Sequence, residues 1–256
     1  MLTEIILFFV GTVVGAMNAV AGGGLLVGFP VLLAFGVPPI AANATGALVA
    51  GPGSLASAFG YRKFIRKVPK QYALLMIPCI LGAAIGATLL RHTDPAKFDE
   101  LVPLLVLLAV LLFAFQPFLH YQLHKHLSGK LKNARPLVLI GLALLPVAIY
   151  GGYFGAGFGF IMLAFLGFTK LHDMHQMNGL KNIAGACISI TVLLCLFSAH
   201  LTDWKLGIAM GLGSVLGGYY GAHFSQRVST HAVRIVIIST GLVTASYLAI
   251  HSYWIQ

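Results

Sequence analysis

Asn18-Ala19-Val20-Ala21-Gly22-Gly23-Gly24 interrupts an apolar run that extends from Ile5 to Phe35. The run suits a membrane helix. Three consecutive glycines, each costing about 1 kcal/mol against alanine, predict that the helix breaks there. A second stretch, Gly151-Gly152-Tyr153-Phe154-Gly155-Ala156-Gly157-Phe158-Gly159, interrupts another apolar run in the same way. Two glycine-broken segments in corresponding places are the best sequence pointer to a transporter's binding site.

The class follows from composition. The chain has 256 residues, of which 59% are hydrophobic and 9% charged, and its mean hydropathy is +0.92. Soluble domains carry about 25% charged residues. The long apolar runs therefore predict an all-α polytopic membrane protein with the lipid bilayer as its solvent, and they exclude a transmembrane barrel of short alternating segments. The net charge of +10 does not imply nucleic acid. Its basic residues gather in two short loops, Tyr61–Lys70 and His120–Pro136, as expected of cytoplasmic loops, with contact to anionic headgroups as the alternative. Cys79, Cys187 and Cys195 lie in apolar segments without metal or redox spacing and read as small core residues. The opening Met1-Leu2-Thr3-Glu4 carries no Lys or Arg ahead of its apolar run, which argues against a cleaved signal peptide.

The sequence repeats itself at an offset of 135 positions. Ala21 falls on Ala156, Gly22 on Gly157, Gly24 on Gly159, Asn43 on Asn178, Ser54 on Ser189 and Lys70 on Lys205. The expected organisation is a first repeat over 1–119, with a broken hairpin at 5–35 and spans at 40–60, 70–90 and 95–119. A basic cytoplasmic loop at 120–136 follows, then a second repeat over 137–256 with a hairpin at 137–168 and spans at 172–199, 203–226 and 230–253. The first hairpin's arms, Ile5–Met17 and Leu25–Phe35, are each too short for a core of about 30 Å, so they are expected to meet near mid-membrane. If each hairpin returns to its own side, each half crosses an odd number of times and the two are inverted. Fully crossing hairpins would make them parallel and would put Lys170, Arg227 and Arg234 outside. The positive-inside rule prefers the inverted arrangement.

Three groups of residues could carry chemistry. The glycine breaks (Gly22, Gly23, Gly24, Gly155, Gly157) would free backbone amides at the N-termini of the second arms, where the helix dipole attracts anions. The alternative is close helix packing, the reading preferred for Gly82, Gly86, Gly217 and Gly221. Lys181 lies about 13 Å into its span, and no carboxylate is expected at that depth; its counter-ion would be an anionic ligand. The alternative is a lysine that snorkels to the surface. Asn178 and Asn182 flank it, and Asn43 and Thr45 are their neighbours by repeat position. Their amides and hydroxyl could donate to ligand oxygens or bond between helices. The histidines, His120, His124 and His126 included, read as solvated or interfacial. No nucleotide, hydrolase or zinc-protease motif is present, so no catalytic residue, metal or cofactor is expected.

At these residues the chain resembles the sulfite exporter TauE/SafE family of membrane permeases. The matching motifs are Asn18 to Gly24 with Pro30 and Pro38-Pro39, then Ala42-Asn43-Ala44-Thr45, Gly151 to Gly157 and Asn178-Gly179-Leu180-Lys181-Asn182. Gly46 departs from the pattern, since members often carry Asn there, and this weakens a symmetric asparagine pair. The resemblance implies transport of small sulfur-containing or organic anions; the expected function is a secondary transporter of such anions in the plasma membrane, with Asn18 counted among its substrate-binding residues. Export would need no coupling ion, because an inside-negative potential drives an anion outward. Proton-coupled uptake and an anion channel are the alternatives. The oligomeric state is not legible.

Overall fold

The computed structural model describes residues 2–115, 136–169, 171, 173–225 and 230–254, with side chains at 136, 198, 230–234 and 251–254 outside the description. His120, His124, His126, Lys170, His172 and Arg227 fall outside the described residues, as do the side chains of His231 and Arg234.

The chain runs α1 (Leu2–Val20), α2 (Leu25–Ala34), α3 (Pro39–Gly60), the single turn α4 (Arg62–Ile65), a 3-10 turn (Lys70–Leu75) leading into α5 (Met76–Arg91), and α6 (Pro95–Ala114). It resumes with α7 (Pro136–Tyr153), α8 (Phe158–Leu166), α9 (Met174–Leu196), a 3-10 turn (Phe197–Ala199), α10 (Trp204–Phe224) and α11 (Thr230–Trp254). There is no strand among the described residues. The segments Leu2–Val20, Lys70–Arg91 and Met174–Leu196 are long and apolar enough to cross a membrane. Large apolar side chains such as Phe9, Phe59, Leu81, Leu194, Leu212 and Val243 are exposed along the helices, which suits a lipid solvent.

Helix starts account for several of the few charges. Asp94, Asp173 and Asp203 cap α6, α9 and α10 by accepting from the amides of Ala96, His175 and Leu206. Each satisfies an orphan amide and meets the positive end of a helix dipole. Pro39 and Pro95 stand in the first turns of α3 and α6, where no amide is needed.

Small residues set the packing. A side chain at Gly11 or Gly15 of α1 would strike the backbone of Met210 or Ser214 in α10, and one at Gly213, Gly217 or Gly221 would strike Phe8, Thr12 or Ala16. Numbers rise together on the two helices, so α1 and α10 run parallel. In the same way Gly82 and Gly86 of α5 lie against Leu145, Ala148 and Ile149 of α7, also parallel. The packing reading of Gly82, Gly86, Gly217 and Gly221 agrees with these contacts. Gly51 faces Ser189 while Gly185 faces Ser54, so α3 and α9 cross antiparallel.

Both breaks exist, but later than expected. The first arm continues through Asn18 to Val20 and reaches 19 residues, about 28 Å; it is span-length, not a short arm ending at Met17. Helix α7 runs through Gly151 and Gly152, whose lack of a side chain admits the backbone of Ala83 at Gly152, and ends at Tyr153. The chain turns at Gly22 (φ 88), Gly155 (φ 75) and Gly157 (φ 87), left-handed conformations that glycine adopts without penalty.

Candidate functional site

The two breaks touch. A Cβ added at Gly22 would lie 2.8 Å from Gly159 Cα, and one added at Gly159 would lie 2.7 Å from Gly22 Cα. Two backbones can approach this closely only where both lack side chains. Beside the crossing lies a cavity of about 50 Å³. Its polar lining is Asn18, Asn43, Ser54, Lys181, Asn182 and Ser189; Leu25, Phe154, Phe158, Ile188 and Val192 form apolar walls.

Lys181 supplies the cation. It is 2% exposed, so it does not snorkel. It is not unpartnered either: its ammonium donates to Asn18 O at 2.7 Å and Ala19 O at 3.1 Å. These carbonyls belong to the last turn of α1, which the break leaves without intrahelical partners. The negative end of the helix dipole also favours a cation there. The amide of Asn182 donates to Ala19 O at 3.4 Å and Asn178 O at 2.9 Å, and the Tyr61 hydroxyl reaches the same Ala19 O at 3.4 Å. Three side chains from α3's end and α9 thus converge on one carbonyl.

The second break is capped by a neutral group. Asn43 Nδ2 donates to Tyr153 O at 2.7 Å. Asn18 and Tyr153 are one repeat apart, so equivalent carbonyls are capped from the opposite half, by Lys181 in one case and Asn43 in the other. The position equivalent to Lys181 is Gly46, and only one of the two caps is charged.

Six of the expected residues line the cavity together: Asn18, Gly22, Asn43, Gly155, Lys181 and Asn182. The other five do not line it. Gly23 packs on Ile237 and Phe160, Gly24 on Val14, and Gly157 on the Phe160 ring. Thr45 is buried with its hydroxyl accepting from Asp203 N, which anchors the start of α10. Asn178 is buried behind Asn182. Ser54 and Ser189 join the lining as a repeat pair, and their pairing at the offset of 135 is the one sequence signal that marks them. The expectation that second-arm amides face the ligand is limited to the turn itself: Leu26 N already bonds to Gly23 O. No group of three or more His, Cys, Asp or Glu side chains able to hold a metal occurs among the described residues.

Comparison with known proteins places the chain in a family. The chain is 32% identical to a protein of Haemophilus influenzae named "Probable membrane transporter protein", over 94% of this chain and 92% of the relative. It is 27% identical to "Probable membrane transporter protein ORF9" of Sinorhizobium sp, over 92% and 89%. It is 26% identical to "Probable membrane transporter protein YfcA" of Escherichia coli K12, over 97% and 90%. No solved structure matches. The family described as Sulfite exporter TauE/SafE matches residues 7–248, which is nearly the whole chain, and the protein belongs to that family.

Proposed function

We propose that the protein is a multi-pass transporter of the cytoplasmic membrane for small anions such as sulfite or a short organosulfonate, working by alternating access around the cavity at the two breaks. One observation carries this reading: Lys181, buried and lining that cavity, is bonded to backbone carbonyls. Carbonyls orient an ammonium group but leave its unit charge uncompensated, and a buried cation in a membrane calls for a counter-ion. The ammonium has three donors and two are used among the described residues, so one remains for a ligand. The cavity of about 50 Å³ suits a solute of few heavy atoms.

Inverted repeats would supply the two alternating states. Two features support that symmetry. The repeat-equivalent helices α3 and α9 cross antiparallel, with Gly51 on Ser189 and Ser54 on Gly185. The α1–α10 contact has its counterpart in α7–α5, each first arm packing on a span of the other half. With the basic Arg62–Lys70 segment inside, the cavity lies on the outward side of Lys181, and the rings of Tyr61, Phe64 and His175 cluster on the inward side. In a variant lacking Cys79, Cys187 and Cys195, Lys67→Cys and Asp99→Cys, both at exposed positions, are expected to react with impermeant reagents from opposite sides. Labelling from one side would refute the inverted topology.

A thermal-shift screen of small anions on the purified protein tests the function. A binder at 100 times its Kd stabilises the fold by about 2.7 kcal/mol. Sulfite or a small sulfonate is expected to raise the melting temperature, and chloride at equal ionic strength is expected to do less. If no anion raises it, the anion site is wrong.

A further inference from the structure

We infer that the cavity selects anions that carry their own hydrogen-bond donor beside the charged group, an inference that rests on the anion site proposed above. The orientation of the asparagines carries it. Asn182 spends its amide nitrogen on Asn178 O at 2.9 Å and Ala19 O at 3.4 Å. Both partners are carbonyls, which only accept, so the amide cannot be flipped. Its Oδ1 is left buried with no hydrogen-bond partner among the described residues. Asn182 is 1% exposed and lines the cavity. Asn43 also lines the cavity, and its Nδ2 likewise donates to a carbonyl, Tyr153 O, at 2.7 Å.

The sequence suggested amide donors around an anion. The structure gives one cationic donor, Lys181, the hydroxyls of Ser54 and Ser189, and one buried acceptor in the lining, Asn182 Oδ1, that no protein donor meets among the described residues. An anion whose outer atoms only accept can meet Lys181, but it sets lone pairs against Asn182 Oδ1 and leaves that oxygen unsatisfied. A ligand with an N–H or O–H next to its charge satisfies both. Unpaired buried acceptors are what give polar sites their discrimination between near-isosteres. Asn178 Oδ1 is also without a partner among the described residues, but Asn178 does not line the cavity.

Sulfamate and methanesulfonate test this directly. Both are small monoanions of nearly equal shape, and they differ by an amino group in place of a methyl. Calorimetry or thermal shift on the purified full chain is expected to show sulfamate binding at least about tenfold more tightly. In Asn182→Leu the ratio is expected to fall towards one while both anions still bind. Should that variant not fold, the wild-type ratio decides alone. Equal affinities in the wild type, or tighter methanesulfonate, overturn the donor requirement and leave the anion site standing. If neither anion binds the folded protein, and sulfite does not either, the proposed function falls and the inference falls with it.

Discussion

Lys181→Met is expected to weaken anion binding by at least about thirtyfold and to abolish transport in proteoliposomes. Removing one partner of a buried charge pair costs about 2–5 kcal/mol, and about 2 kcal/mol is already a factor of thirty. Methionine fills the same volume, so the loss is not a cavity effect. The fold loses two charge-assisted bonds, to Asn18 O and Ala19 O. Ala19 O keeps Tyr61 and Asn182 as donors, whereas Asn18 O loses its cap. A destabilisation of about 1–3 kcal/mol is therefore expected, visible as a lower melting temperature in the absence of ligand. Binding is read by calorimetry on the folded fraction. Unchanged affinity for sulfite and sulfonates would remove Lys181 from the site.

Gly22→Ala is expected to be the most damaging single-atom change at the crossing. Two costs add. Alanine in the left-handed region is disfavoured by about 1–2 kcal/mol, and Gly22 holds φ 88. The new Cβ would also lie 2.8 Å from Gly159 Cα, and backbone cannot step aside as a flexible side chain can. Gly36→Ala separates the two costs, because Gly36 holds φ 81 but has nothing within 4 Å of its Cβ. The expected order of melting temperatures is wild type, then Gly36→Ala, then Gly22→Ala. Transport should survive in Gly36→Ala and be lost in Gly22→Ala. If Gly22→Ala is no worse than Gly36→Ala, the contact between the breaks is not tight.

Much of this was legible in residue types. Gly22 to Gly24 and Gly155 to Gly157 announced the breaks, because no other residue tolerates such turns cheaply. Lys181 announced itself as an ionisable group deep in an apolar span. Its partners did not, because they are backbone carbonyls and any residue supplies those. The ends of the arms were misplaced for a related reason: Asn18, Gly151 and Gly152 remain helical where packing overrides weak propensity. Thr45 stands two positions after Asn43, about 200° further around the helix axis, so Thr45 turns to Asp203 while Asn43 lines the cavity. Asn182, four residues from Asn178, shares its helix face but lies one turn deeper. Its nitrogen is engaged by Asn178 O of its own helix and by Ala19 O, which the fold, not the local sequence, brings to it.

The meeting of Lys181, Asn182 and Tyr61 on Ala19 O has a consequence for genetics. The anchor point is a peptide oxygen, so no side-chain substitution at position 19 deletes it. Scanning mutagenesis would score that residue by bulk alone, since its methyl is fully enclosed. An amide-to-ester replacement between residues 19 and 20, which makes that oxygen a poorer acceptor, would expose what the genetic code cannot reach.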